Sequence, residues 1–214
     1  MNKPFIYEPM TAFTDLLIFA LGLYFAKELY GFYTAKLYDV HLYFMMVFFF
    51  MGLAGLFGTL SHGIGPHFSD GVHTFLWRMT LYSIGLTTFS MLLGGLYHVV
   101  PFQTMEWLKW LPLIGLIVFF VLITKHDDFS TVVWFYIPVM TLVLIMMLYS
   151  WLRFQGDGTV WIIMSILVAF VGAIVQQSGF SIHKHFNHND IYHGIQISSM
   201  YLLYRGVLVL KDFG

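Results

Sequence analysis

Residues 41–60 read HLYFMMVFFFMGLAGLFGTL, twenty positions without a lysine, arginine, aspartate or glutamate. An α-helix rises 1.5 Å per residue, so about 20 apolar residues cross the roughly 30 Å hydrocarbon core of a bilayer. Lipid offers no partner to an open backbone edge, so a single apolar run of this length is a helix and not a barrel strand. Gly52, Gly55 and Gly58 place small residues where a neighbouring helix can approach closely.

Comparable apolar runs cover 12–26, 74–96, 107–123, 129–152, 159–175 and 191–210, and the short gaps between them hold most of the charge. The expected fold is therefore all-α: a polytopic membrane protein with seven transmembrane helices in a single bundle, one domain over residues 1–214. Composition agrees. Of the 214 residues, 59% are hydrophobic and 10% charged, against roughly 25% charged in a soluble domain. A net charge of −1 spread thinly gives no electrostatic footprint for nucleic acid. The absence of cysteine removes disulfides, thiolate metal sites and a cysteine nucleophile. No short apolar core with a small-residue cleavage site opens the chain, so Thr11 onward reads as a retained first helix.

Alternating the seven runs across the membrane sorts the charges. Lys3, Arg78, Lys125 and Lys184 fall on the N-terminal face, and Lys27, Lys36, Lys109, Arg153, Arg205 and Lys211 on the other. The excess of cations marks the second face as cytoplasmic, which expects an outside N-terminus and an address in a bacterial inner membrane. Histidine divides the other way: His62, His67, His73, His126, His183, His185, His188 and His193 share the N-terminal face, leaving His41 and His98 opposite.

Three helix ends bring polar groups to that face. The first run opens TAFTD with Asp15 about one turn inside, the second ends TLSHG at Ser61 and His62, and the last opens HNDIYHGIQ from His188. Arg78 joins them near the start of the third. Ionisable groups at bilayer depth are costly and face a bundle interior or cavity. On the last helix Asn189, Asp190 and His193 share a face, with Gln196 one turn deeper. Asn187 or Asn189 also reads as the cap of that helix, with Asp190 favouring its positive end. A catalytic zinc takes three protein ligands and a water; His62 and His193 are the natural pair, with the third from His188 or Asp190. His67, His73, His126, His183 and His185 read as solvated interface residues, and Asp15 as either a site residue or an ion-pair partner of Arg78.

Seven helices, a Ser-His pair ending helix two and a histidine motif opening helix seven resemble the CREST superfamily, which includes alkaline ceramidases, progestin and adipoQ receptors and Per1-type proteins. That resemblance implies zinc on histidines and hydrolysis of a lipid amide. His62 and His193 match the helix-two histidine and the second histidine of the helix-seven motif. Asn189 stands four before His193 where the family has histidine, Gly58 stands four before His62 where it has serine, and Arg78 appears near the start of helix three in place of an aspartate.

The expectation is a zinc-dependent hydrolase of a lipid amide or ester. Zinc would lower the pKa of its water to roughly 7 and polarise the carbonyl. Asp15 or Asp190 would be the general base, and Ser61 or Arg78 would stabilise the oxyanion. The alternative is a non-catalytic sensor or receptor with a structural metal or a titrating histidine cluster. A proton or metal transporter expects ionisable groups at mid-membrane, where the runs are almost purely apolar. A retinal protein needs a lysine mid-way along its last helix, and here Lys184 and Lys211 only flank it.

Overall fold

The computed structural model describes residues 4–183 and 186–213. Lys3, Lys184 and His185, assigned above to the N-terminal face, lie outside the described residues. The chain forms α1 (Pro9–Lys36), α2 (Asp39–Gly63), α3 (Asp70–Val99), α4 (Phe102–Leu108), α5 (Trp110–Lys125), α6 (Phe129–Phe154), α7 (Thr159–Ser178) and α8 (His188–Val207). Lys109 joins α4 to α5 with φ −57° and ψ −21°, so those two continue as one span, Phe102–Lys125. Among the described residues, six helical segments are long and apolar enough to cross a membrane. The 20 residues of α8 are not among them, because its first turns carry His188, Asn189, Asp190, His193 and Gln196.

The first helix is longer than its apolar run. Lys27 and Glu28, expected in a loop, lie inside α1, which continues to Lys36 and stops where Leu37 turns left-handed at φ 58°. The buried positions Gly22, Phe25, Ala26 and Leu29 keep helical spacing past the two charges, so packing carries the helix through them and Lys27 faces outward.

Glycines set the closest approach. A methyl on Gly55 would lie 2.6 Å from the Asp15 carbonyl oxygen, and one on Gly22 would lie 2.7 Å from the Phe48 carbonyl oxygen. The α1 and α2 backbones therefore touch along most of their length. On the other side α7 and α8 are tied at depth by Ser165 and Ser199: the Ser165 hydroxyl reaches the Ser199 carbonyl at 2.9 Å, and the Ser199 hydroxyl reaches the Ser165 carbonyl at 3.0 Å. Phe44 and Phe48 of α2, Met147 of α6, Ile162 and Ile166 of α7 and Met200 of α8 fill the main core. A smaller cluster of Leu81, Phe119, Ile123 and Val132 seats α5 against α3 and α6.

At the face opposite the N-terminus, Asp212 caps α2 from the far end of the chain. Its carboxylate accepts the Asp39 and Val40 N–H groups at 2.7 and 2.8 Å, two of the donors that a helix start leaves open. His41 and His98, the two histidines of that face, reach the Val207 and Lys211 carbonyls at 3.0 and 2.7 Å. They are the clasp that holds the C-terminal segment to the bundle.

Candidate functional site

At the N-terminal face the first turns of α1, the last turn of α2 and the first turns of α8 meet. Asn187 caps α8: its side chain accepts the Asn189 N–H at 2.8 Å, and Asp190 Oδ2 accepts the Asn187 N–H at 2.7 Å. That capping box starts α8 at His188 and turns Asp190 and His193 inward, where they are 2% and 8% exposed.

Asp15 and His193 form the centre. Asp15 is buried, and its Oδ1 lies 3.4 Å from His193 Nε2. The other ring nitrogen, Nδ1, lies 2.8 Å from the Thr14 hydroxyl. Among the described residues, Asp15 Oδ2 is buried with no hydrogen-bond partner, and so is His188 Nδ1. Gly58 makes room for the carboxylate, since a methyl there would lie 2.7 Å from Asp15 Oδ2.

Two further acids stand beside this pair. Asp190 Oδ1 accepts the Thr11 hydroxyl at 3.0 Å, so with its cap contact both of its oxygens are taken. Glu8 Oε2 lies 3.4 Å from His62 Nδ1, and the hydrogen bond to His62 holds the Glu8 carboxyl below its ordinary value despite the burial that pushes it up. The segment before α1 is laid over the end of α2 by two backbone bonds, Tyr7 N–H to the Gly63 carbonyl at 3.0 Å and Glu8 N–H to the His62 carbonyl at 3.2 Å.

From this polar end a cavity of about 240 Å³ runs into the bundle. Asp15, His62, His188, Asn189, His193 and Gln196 line its head. The rest of the wall includes Val47, Met91, Met140 and Leu203, relieved by the hydroxyl-bearing Thr80, Thr87, Thr88 and Ser199. On α8 the lining reaches from His188 to Leu203, about 22 Å at helical rise. The space is long, mostly apolar and polar at one end.

A family model, described as a family of unknown function (DUF6962), matches residues 10–212. The chain belongs to the DUF6962 family. No curated protein and no solved structure matches it. The DUF6962 match takes in Thr11, Thr14, Asp15, His62, Asp190 and His193 and leaves Glu8 outside.

The residues expected from sequence separate into three groups. Asp15, His62, His188 and His193 share the cavity head, as the depth of the helix ends implies. Asp190 is adjacent but engaged by Thr11 and the helix cap. Ser61 and Arg78 are elsewhere: Ser61 is buried but absent from the cavity wall, and Arg78 Nε pairs with Asp127 Oδ2 at 2.9 Å, outside the bundle interior. Three participants were missed, namely Glu8, Thr11 and Thr14. The signal was present for one of them, because Thr11 and Asp15 stand at i and i+4 on one face of α1.

Zinc finds the right kinds of donor here but not the arrangement. Among the described residues no group of three His, Asp or Glu side chains could hold a metal ion. Both His193 nitrogens face protein partners, His62 Nδ1 faces Glu8, and Asp190 has no open oxygen. As arranged, these residues do not fit zinc.

Proposed function

We propose that the chain is a membrane hydrolase acting on a lipid amide or ester, with α8 as a seventh span and the scissile carbonyl at the Asp15–His193 end of the cavity. The observation that carries this reading is a buried carboxylate–imidazole pair at the polar head of a long apolar space. Such a space suits an acyl chain, and the head supplies what acyl transfer needs. His193 takes the proton of the attacking oxygen and returns it to the leaving amine or alcohol. Asp15 orients the ring and stabilises the imidazolium formed in between. Asn189 and Gln196 line the same head and bring amide N–H donors towards the developing oxyanion.

A zinc-dependent form of the same hydrolysis is the second reading. Two buried atoms at the cavity head that have no partner among the described residues, Asp15 Oδ2 and His188 Nδ1, favour it. In that form His62 and His193 would turn from their present partners to hold the ion together with the unpartnered His188 Nδ1, and the ion would supply a Lewis acid. With an outside N-terminus, the site opens towards the outer leaflet.

The test is release of fatty acid from a panel of N-acyl and O-acyl lipids by detergent-purified protein, before and after dialysis against a chelator. Release that survives chelation and falls by about 100-fold or more in Asp15→Asn and His193→Gln is the expected result. Release lost on chelation and restored by zinc selects the second reading. No release from any member of the panel rejects hydrolysis and leaves a sensor or receptor.

A further inference from the structure

Thr14 directly precedes Asp15 on α1, and the two residues reach opposite nitrogens of the same imidazole. The Thr14 hydroxyl lies 2.8 Å from His193 Nδ1, and Asp15 Oδ1 lies 3.4 Å from Nε2. Hydroxyl, imidazole and carboxylate stand in the order of a nucleophile, its base and the group that orients the base. We propose that Thr14 is the nucleophile of the hydrolysis inferred above, and that it carries the acyl group as an ester on Oγ1 during turnover. This rests on the hydrolase reading of the cavity.

Three features single out this hydroxyl. It has one hydrogen and three acceptors within reach: the Met10 and Thr11 carbonyls, each at 3.0 Å, and His193 Nδ1 at 2.8 Å. The first two are the local contacts of any helical threonine. The third is the shortest and spans 179 positions of sequence. Second, the partner of Nε2 decides the tautomer. A hydrogen on Nε2 points at Asp15, which leaves the Nδ1 lone pair to accept the Thr14 proton. Third, burial is graded along the line. Asp15 and His193 are buried, whereas Thr14 is half-buried beside the exposed Phe13 and Leu17. The base and its orienter line the cavity, and the reactive oxygen stands against His193 just outside that lining.

The chemistry balances with water as the only co-reactant. Thr14 Oγ1 bonds to the carbonyl carbon as its proton passes to His193 Nδ1. The tetrahedral adduct collapses, the carbon–nitrogen or carbon–oxygen bond breaks, and the leaving amine or alcohol takes that proton. Water then attacks the acyl ester and gives a proton to Nδ1. The carboxylic acid departs, and Oγ1 recovers its hydrogen.

The experiment uses the full chain in detergent, as wild type, Thr14→Ser and Thr14→Val. Each is assayed for fatty-acid release, then treated with a long-chain alkyl fluorophosphonate and mapped by peptide mass spectrometry. The expected result is one adduct, on Thr14, in the wild type. Thr14→Ser should keep labelling and turnover, and Thr14→Val should lose labelling and at least about a hundredfold of the rate while eluting as the same monodisperse species. Hydrolysis that persists in Thr14→Val, or an adduct on another residue, overturns the nucleophile and leaves the hydrolase reading standing. Neither labelling nor hydrolysis in the wild type overturns both. If Thr14→Val fails to fold, the site of the wild-type adduct decides alone.

Discussion

Thr11 donates its hydroxyl to Asp190 at 3.0 Å, joining the first turn of α1 to the first turn of α8 across 179 positions of sequence. The second oxygen of the same carboxylate accepts the Asn187 N–H at 2.7 Å and closes the cap of α8. One buried side chain thus starts the last helix and fastens it to the first. With both oxygens engaged, Asp190 holds the two helices together, and the proton transfer proposed above falls to the Asp15–His193 pair.

Removing the two halves of that arrangement should have unequal costs. Asn187→Ala removes a helix cap, about 1 kcal/mol. Asp190→Ala also leaves the buried Thr11 hydroxyl without its acceptor, a further penalty of about 1–3 kcal/mol. Thermal unfolding in detergent should rank the midpoints wild type, Asn187→Ala, Asp190→Ala in falling order. Equal midpoints for the two variants would deny the tie to Thr11.

Gly58 and Gly55 meet the same residue of α1 in different ways. A methyl on Gly58 would press on the Asp15 carboxylate, 2.7 Å from Oδ2, whereas one on Gly55 would press on the Asp15 backbone oxygen at 2.6 Å. Gly58→Ala should therefore displace the side chain and depress hydrolysis more than stability. Gly55→Ala should force the helices apart, at about 1–3 kcal/mol for overpacking. Gly31→Ala, with nothing within 4 Å, is the silent control. Activity and melting measured on all three variants separate the two effects.

The helices and the meeting of three helix ends were legible, because apolar length fixes where each helix leaves the bilayer and so the depth of Asp15, His62 and His193. Pairing at that depth was not. Which neighbour a side chain takes depends on the rotation of each helix about its own axis, and the polar residues are too few to set a period. Hence Asp15 was open to Arg78 in sequence and meets His193 in space, while Arg78 finds Asp127. The cap was legible to within two residues: Asn187 and Asn189 both carry the chemistry, and only the extended backbone of Asn187, φ −99° and ψ −176°, selects between them.

Glu8 should make the strap over the α2 end sensitive to acid. Its carboxyl is held below the ordinary value of 4.5, first by the hydrogen bond to His62. A depressed carboxyl contributes stability that is present above its unfolded pKa and lost as pH falls through the folded one. The contact should therefore be intact at neutral pH and lost only below about pH 4.5. Glu8→Gln should remove this part of the acid dependence. Its proposed readout is hydrogen exchange at the Tyr7 and Glu8 amides. An unchanged exchange profile from pH 6 to pH 3 in the wild type would show that the carboxylate does not hold the strap.

Arg78 gives the sharpest contrast between a role read from charge and one read from position. Its guanidinium meets Asp127 at 2.9 Å, and the two side chains are 36% and 38% exposed. The Trp77 indole N–H adds a bond to the Asp127 carbonyl at 2.7 Å, so this corner pins the start of α3 to the loop before α6. An ion pair this exposed contributes about 0–1 kcal/mol. Arg78→Gln should accordingly lower the melting temperature slightly and leave hydrolysis within about twofold of wild type, since no oxyanion donor is lost. Trp77→Phe should act on stability in the same direction through the lost indole bond. A fall of about 100-fold in rate for Arg78→Gln would instead return the guanidinium to the reacting carbonyl and require the Asp127 pair to open on substrate binding.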